Sequence, residues 1–439
     1  MNQPSDRGRS VGLWGATAIG IGGMIGGGIF AVLGVVAEQA GGGAPLALAV
    51  GGLLALLTAS SYALLCTRYP SRGGSVVFVD RVFGTSLATG ALNNLLWFGY
   101  LVALALYATA FASYAEALFV GSGSVSPWVD HLLISAAILI PTAINLASAG
   151  SVARAETALV VVKLLILGLV GVAGFASVHV SRLAVSTWPS IPTVVAAGLL
   201  VFIAYEGFEL IANAGEDAID PERTLPRALY LSVGSVAVLY VAIAVVTVGS
   251  LSPQRIATAA DFALSAAAKP SLGQTGFVLV AIAAVLATLS AINATLYGTA
   301  RLTYSIALEG ELPAGLERKV WDEPVGLLVT AAAALVLANS LDLTQIASIA
   351  SAVFLVVFAA TNAAAVRVAV GRVARRIVAA CGTLGCAISL VVLVVDSASR
   401  RPVAVVVLVA MVAVALVSEA TWLRHHRRAA RAPAHGGDS

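Results

Sequence analysis

Three ionisable side chains lie inside apolar runs of this chain: Lys163 within Leu159–Leu167, and Glu206 and Glu209 within Phe202–Leu210. A lysine at the centre of a membrane helix costs about 2.5–3.5 kcal/mol on the insertion scale, so a charge placed there points to chemistry. Arg154 lies nine residues earlier, about 13 Å along a helix at 1.5 Å per residue, which sets Lys163 too deep to snorkel to an interface. Burial and a nearby carboxylate pull a lysine's protonation in opposite senses, so this amine can gain and lose a proton within a cycle.

Glu206 and Glu209 stand three apart and would share one helix face, unless the helix breaks at Gly207. A break separates them. Glu206 then either faces a solute or pairs with Lys163, and Glu209 caps or gates the half-helix that follows. A protonated, hydrogen-bonded structural role is open to both. Glu116 is expected at an interface, and Glu216, Asp217, Asp220 and Glu222 in a solvated loop.

The first apolar stretch carries Gly22-Gly23-Met24-Ile25-Gly26-Gly27-Gly28-Ile29-Phe30. Each interior glycine weakens a helix by roughly 1 kcal/mol relative to alanine, so Gly26, Gly27 and Gly28 predict a break near mid-membrane. Broken backbone in hydrocarbon must find partners, and a bound solute can supply them. Close helix packing through Gly22/Gly26 and Gly23/Gly27 is the alternative use of these residues. A broken helix exposes a carbonyl end and an amide end of opposite partial charge, which suits a zwitterion. Amides around Gly26, Gly27, Gly28 and Ile29 can hold a carboxylate. Carbonyls near Ile25 and from Phe202 to Ala204 can hold an ammonium group. Tyr205 and Phe208 then line the side-chain pocket or its gate, or pack as aromatic core.

The elements that position these groups follow from composition. Of 439 residues, 59% are hydrophobic and 11% charged, less than half the charged share of a soluble domain, so the chain is a polytopic membrane protein. Apolar stretches of spanning length predict twelve transmembrane helices, starting near Val11, Ala44, Ser86, Val129, Ala155, Thr193, Arg227, Gly273, Pro324, Leu343, Ile377 and Val403. The largest connections are expected to be loops over Arg68–Gly84, Glu216–Pro226, Leu251–Leu272 and Glu309–Glu323. Within the third, Ile256 to Ala268 is amphipathic and is expected as a short helix over the outer mouth.

Nineteen of the twenty-five Lys and Arg residues fall on the side of the termini and five on the other, with Lys163 inside a span. Both termini are therefore expected in the cytoplasm. The net charge of +3 reflects this topology and argues against a nucleic-acid partner. The basic tail Arg424–Arg431 is expected to anchor the last helix at headgroups, and Ala432–Ser439 to be disordered. The first span is expected to remain attached, because Met1–Ser10 lacks the pattern of a cleaved signal.

Cys66, Cys381 and Cys386 form no CxxC pair and read as packing residues. No His/Cys/carboxylate spacing suggests a metal, no cofactor is implied, and no nucleophile has an evident base, so an enzyme is not expected. The second interruption, at Tyr205-Glu206-Gly207, stands five helices after the first. Breaks at corresponding positions of two five-helix halves point to an inverted-repeat transporter with a midplane site.

At this point the residues resemble the amino acid/polyamine/organocation superfamily. Gly23 to Phe30 matches its first-helix signature, Tyr69-Pro70-Ser71-Arg72-Gly73-Gly74-Ser75 its first cytoplasmic loop, and Pro221 to Arg227 the segment after its sixth helix. Ser290-Ala291-Ile292-Asn293 through Arg301 is similar to its eighth helix. The resemblance implies an all-α fold of two inverted five-helix repeats, over 11–178 and 192–370, plus two additional helices over 377–423. These lie between a tail at 1–10 and a basic tail at 424–439.

It implies alternating access and amino acids or related amines as substrates. It further implies a proton-coupling group of Lys163, Ser290 and Asn293, since Lys163 falls where proton-coupled members carry a lysine in place of sodium. Thr288-Leu289-Ser290-Ala291 lacks the adjacent hydroxyl pair of sodium-coupled relatives. Many members have an apolar residue at the position of Glu206, so the substrate's side-chain class does not carry over. The expectation is a proton-coupled amino acid permease of the plasma membrane, with an exchanger, or a sensor that binds without flux, as alternatives.

Overall fold

The computed structural model describes residues 10–71, 73–120, 126–147, 153–308, 319–320 and 323–431. The N-terminal tail before Ser10, Arg72, most of the Glu309–Glu323 connection and the tail after Arg431 lie outside the described residues.

Every expected span is present as helix. The first is split into α1 (Leu13–Met24) and α2 (Gly28–Ala40). Next come α3 (Ala44–Arg68), α4 (Gly74–Phe83), α5 (Leu87–Val120), α6 (Pro127–Ala147) and α7 (Ala153–Gly174). The sixth span is α8 (Ile191–Leu200) continued by two 3-10 segments, Val201–Tyr205 and Phe208–Ala214. The second half has α9 (Pro221–Ser250), α10 (Pro253–Thr258), α11 (Ala263–Leu308), α12 (Val325–Ser340), α13 (Leu343–Val368), α14 (Val373–Arg400) and α15 (Pro402–Arg431). The fold is an all-α polytopic membrane bundle of about twelve spanning helices, with one two-residue strand pair, Lys319–Val320 with Glu323–Pro324, at a connection.

Three connections expected as loops are partly helical. Arg68–Gly84 contains α4, whose Val76, Phe78 and Val79 are buried while Asp80 and Arg81 stand on its polar side. The span expected from Arg227 begins at Pro221, since Pro at the first helical turn loses no intrahelical bond and Glu222 complements the helix N-terminus. Leu251–Leu272 is not one short helix: it holds α10, a 3-10 turn at Ala260–Phe262, and the first ten residues of α11. Gly273, at φ +64°, separates that piece from the spanning part of α11.

The lipid-facing and core-facing surfaces are distinct. On α14, Leu384, Ile388, Val391 and Val395 are exposed and recur at helical spacing, as a helix bordering hydrocarbon requires. Residues 24–37, which end α1 and make up most of α2, are buried throughout. So are Val201 to Glu209, which places both interrupted spans at the centre of the bundle.

Candidate substrate site

The two breaks meet backbone to backbone. α1 ends where the Ile25 amide donates to the Ile21 carbonyl at 2.8 Å, and α2 starts with the Ala31 amide on the Gly27 carbonyl at 3.0 Å. Ile25, Gly26 and Gly27 lie between, whereas Gly28 is already the first residue of α2; the break is as long as the run Gly26–Gly28 but begins one residue earlier. The glycines serve close packing as well as the break. A Cβ on Gly23 would lie 2.7 Å from the Gly207 carbonyl oxygen, one on Gly26 3.0 Å from the Ala291 Cβ, and one on Gly28 3.0 Å from the Ala204 Cα. A Cβ on Gly27 would overlap the ring of Tyr107.

In the sixth span, the backbone leaves helical geometry at Glu206 (ψ 145°) and Gly207 (φ +114°). The left-handed region costs an L-residue about 1–2 kcal/mol, so glycine is required at 207 on backbone grounds as well as for contact. Phe202, Ala204 and Tyr205 lie in the 3-10 segment before the break and Phe208 opens the one after it. The 3-10 segment is held from outside: the Ile203 amide donates to Ser351 Oγ at 3.3 Å, and Ser351 donates to the Leu200 carbonyl at 2.6 Å. Tyr205 donates to the Leu48 carbonyl at 2.8 Å.

Polar side chains converge at the junction. Tyr107 on α5 donates to Glu206 Oε2 at 2.9 Å, while its ring lies against Gly27. Glu209 Oε2 accepts from the Gly207 amide at 2.8 Å, capping the segment that follows, and its other oxygen accepts from Tyr100 at 3.5 Å. Phe208 packs in an aromatic cluster, its ring centroid 5.5 Å from Tyr62 and 5.4 Å from Phe358; Phe202 is 5.6 Å from Phe358.

Tyr240 on α9 joins the breaks directly. Its hydroxyl lies 2.7 Å from the Met24 carbonyl oxygen and 3.2 Å from that of Ala204, the carbonyl ends of the two interrupted helices. Sequence reasoning missed Tyr107, Tyr240 and Ser351. A signal existed for the tyrosines, since membrane helices concentrate Tyr at interfaces and these two stand mid-span.

Lys163 is 2% exposed, within α7. Val160, one turn earlier, would lie 3.0 Å from a Cβ on Gly22, so this face of α7 is turned toward α1. Ser290 and Asn293 are half-buried on α11, flanking the Ala291 that meets Gly26. Asn293 Oδ1 accepts from Asn145 Nδ2 at 2.7 Å. The two breaks are therefore brought together, with Ala291 of α11 against Gly26 in the first break and Val160 of α7 against Gly22 of α1.

Comparison with known proteins decides what kind of molecule is built around these breaks. The sequence profile described as amino acid permease matches residues 11–418. The chain belongs to the amino acid permease family. This permease is 37% identical to an uncharacterized protein of Methanocaldococcus jannaschii, over 80% of each chain. It is 35% identical to the inner membrane transport protein YbaT of Escherichia coli, over 84% of this chain and 86% of that one. With the methylthioribose transporter of Bacillus subtilis it shares 27% identity, over 71% of this chain and 70% of that one. The permease is thus a transporter by family, and its paired breaks are the feature that the fold places at its centre.

Proposed function

We propose that the permease moves amino acids across the plasma membrane by alternating access, coupled to protons. The observation that supports this reading is that the Met24 and Ala204 carbonyl oxygens, at the ends of the two broken helices, both lie within hydrogen-bond reach of the single Tyr240 hydroxyl. The amides around the start of α2, from Gly26 to Ile29, hold the substrate carboxylate. Carbonyls at Met24 and Ala204 hold its ammonium group, and Tyr107 and Glu206 face its side chain.

Residues 11–178 and 192–370 act as the two inverted repeats, with 377–423 as peripheral helices and both termini cytoplasmic, in accord with the charge distribution. Lys163, beside the first break with Ser290 and Asn293, links its protonation to closure of the adjoining half-helix. The charged amine repels closure by its field and solvation, and the neutral one allows it. The test is uptake of radiolabelled amino acids by proteoliposomes under an imposed inward proton gradient. Uptake that collapses on adding a protonophore is expected; uptake requiring only a preloaded countersubstrate would instead make the permease an exchanger.

A further inference from the structure

Tyr240 offers one proton to two carbonyl oxygens. At 2.7 Å and 3.2 Å from Met24 and Ala204, its hydroxyl can satisfy one acceptor well and the other poorly, in a buried setting where an unsatisfied carbonyl is costly. A primary ammonium group brings three N–H donors and can bond both oxygens at full strength. The Tyr240 ring is fixed from the side, its centroid 5.2 Å from that of Tyr205, whose own hydroxyl is held by Leu48.

On the reading that the permease carries amino acids, we infer that the Tyr240 hydroxyl is a stand-in for the substrate's amine. It satisfies the two carbonyl ends in the unloaded carrier and yields them when an ammonium group arrives. Tyr240 is thereby a positioning residue for the return of the unloaded carrier and sets a threshold on the amine, which must offer more than one N–H to gain over the hydroxyl.

The replacement Tyr240→Phe keeps the ring and removes the competitor. Loss of one neutral hydrogen bond from the unloaded state makes substrate binding tighter by roughly five-fold, so KM for uptake should fall by about that factor. Net uptake should slow relative to exchange, because the unloaded carrier must reorient with both carbonyls unpaired, while the loaded one is unaffected. A merely structural tyrosine would instead raise KM and slow net uptake and exchange together.

The measurement uses the full-length permease in proteoliposomes with each protein amino acid radiolabelled in turn, then the best substrate for the variant. In the wild-type protein, competition by the N-methyl and N,N-dimethyl derivatives of that substrate gives an arm independent of the variant's folding. The dimethyl form, with a single N–H, should compete at least ten-fold more weakly than the monomethyl form, with two. An unchanged or raised KM in Tyr240→Phe, or equal competition by the two derivatives, overturns the inference and leaves the transport reading standing. No uptake of any amino acid by the wild-type protein overturns both.

Discussion

Gly23 and Gly207 touch through their backbones: a Cβ on Gly23 would sit 2.7 Å from the Gly207 carbonyl oxygen, and one on Gly207 2.7 Å from the Met24 amide nitrogen. No side chain fits between the interrupted helices. Gly207→Ala adds a left-handed residue, at about 1–2 kcal/mol, to a backbone overlap that only separation of the helices can relieve. Loss of transport with a lowered thermal unfolding midpoint in detergent is expected. An alanine variant with wild-type uptake would show that the contact is not needed.

Glu206→Gln is expected to be mild. A glutamine keeps the length of the side chain and an oxygen that accepts from the Tyr107 hydroxyl. Uptake of neutral amino acids should stay within about three-fold of wild type, less than the loss of one net hydrogen bond. A substrate panel checks this, and selective loss of cationic amino acids would assign the carboxyl a counter-charge role instead.

How much of this was legible beforehand depended on how many residues carried the signal. The twelve spans and both breaks follow from runs of many residues: apolar stretches of spanning length, Gly26 to Gly28, and Glu206-Gly207 inside a hydrophobic segment. Ser351 was not legible, because it acts through one hydroxyl on backbone far away in sequence and a single hydroxyl in an apolar helix has no periodicity; Tyr107 and Tyr240 carried only the signal of a mid-span position, which names no partner. The helix α4 was hidden for another reason: its ten residues are too short to span and begin at Gly74, directly after Gly73, a pair that reads as a loop.

Ser351→Ala removes the acceptor of the Ile203 amide and the donor to the Leu200 carbonyl at once. Leaving buried backbone groups without partners costs about 1–3 kcal/mol. The thermal unfolding midpoint should fall, and Ser351→Thr, which retains the hydroxyl, should recover most of the loss. Equal stability of the Ala and wild-type proteins would mean that the 3-10 segment needs no external support.

Tyr107→Phe keeps the ring over Gly27 and deletes the bond to Glu206. Because the ring supplies the packing, folding should be preserved, while the freed Glu206 carboxyl is expected to change substrate preference across the amino acid panel. Identical selectivity in the variant and wild-type proteins would separate Tyr107 from the side-chain pocket.

Lys163, buried to 2% exposure one helical turn after the Val160 that packs against Gly22, is the residue to which the proposed proton coupling is assigned. The direct test is initial-rate uptake by proteoliposomes holding wild-type or Lys163→Ala permease, under separate inward proton and sodium gradients. Proton-driven accumulation by the wild-type protein is predicted, with the Ala variant showing only gradient-independent exchange. Accumulation driven by sodium alone, or a proton dependence that survives Lys163→Ala, would contradict it.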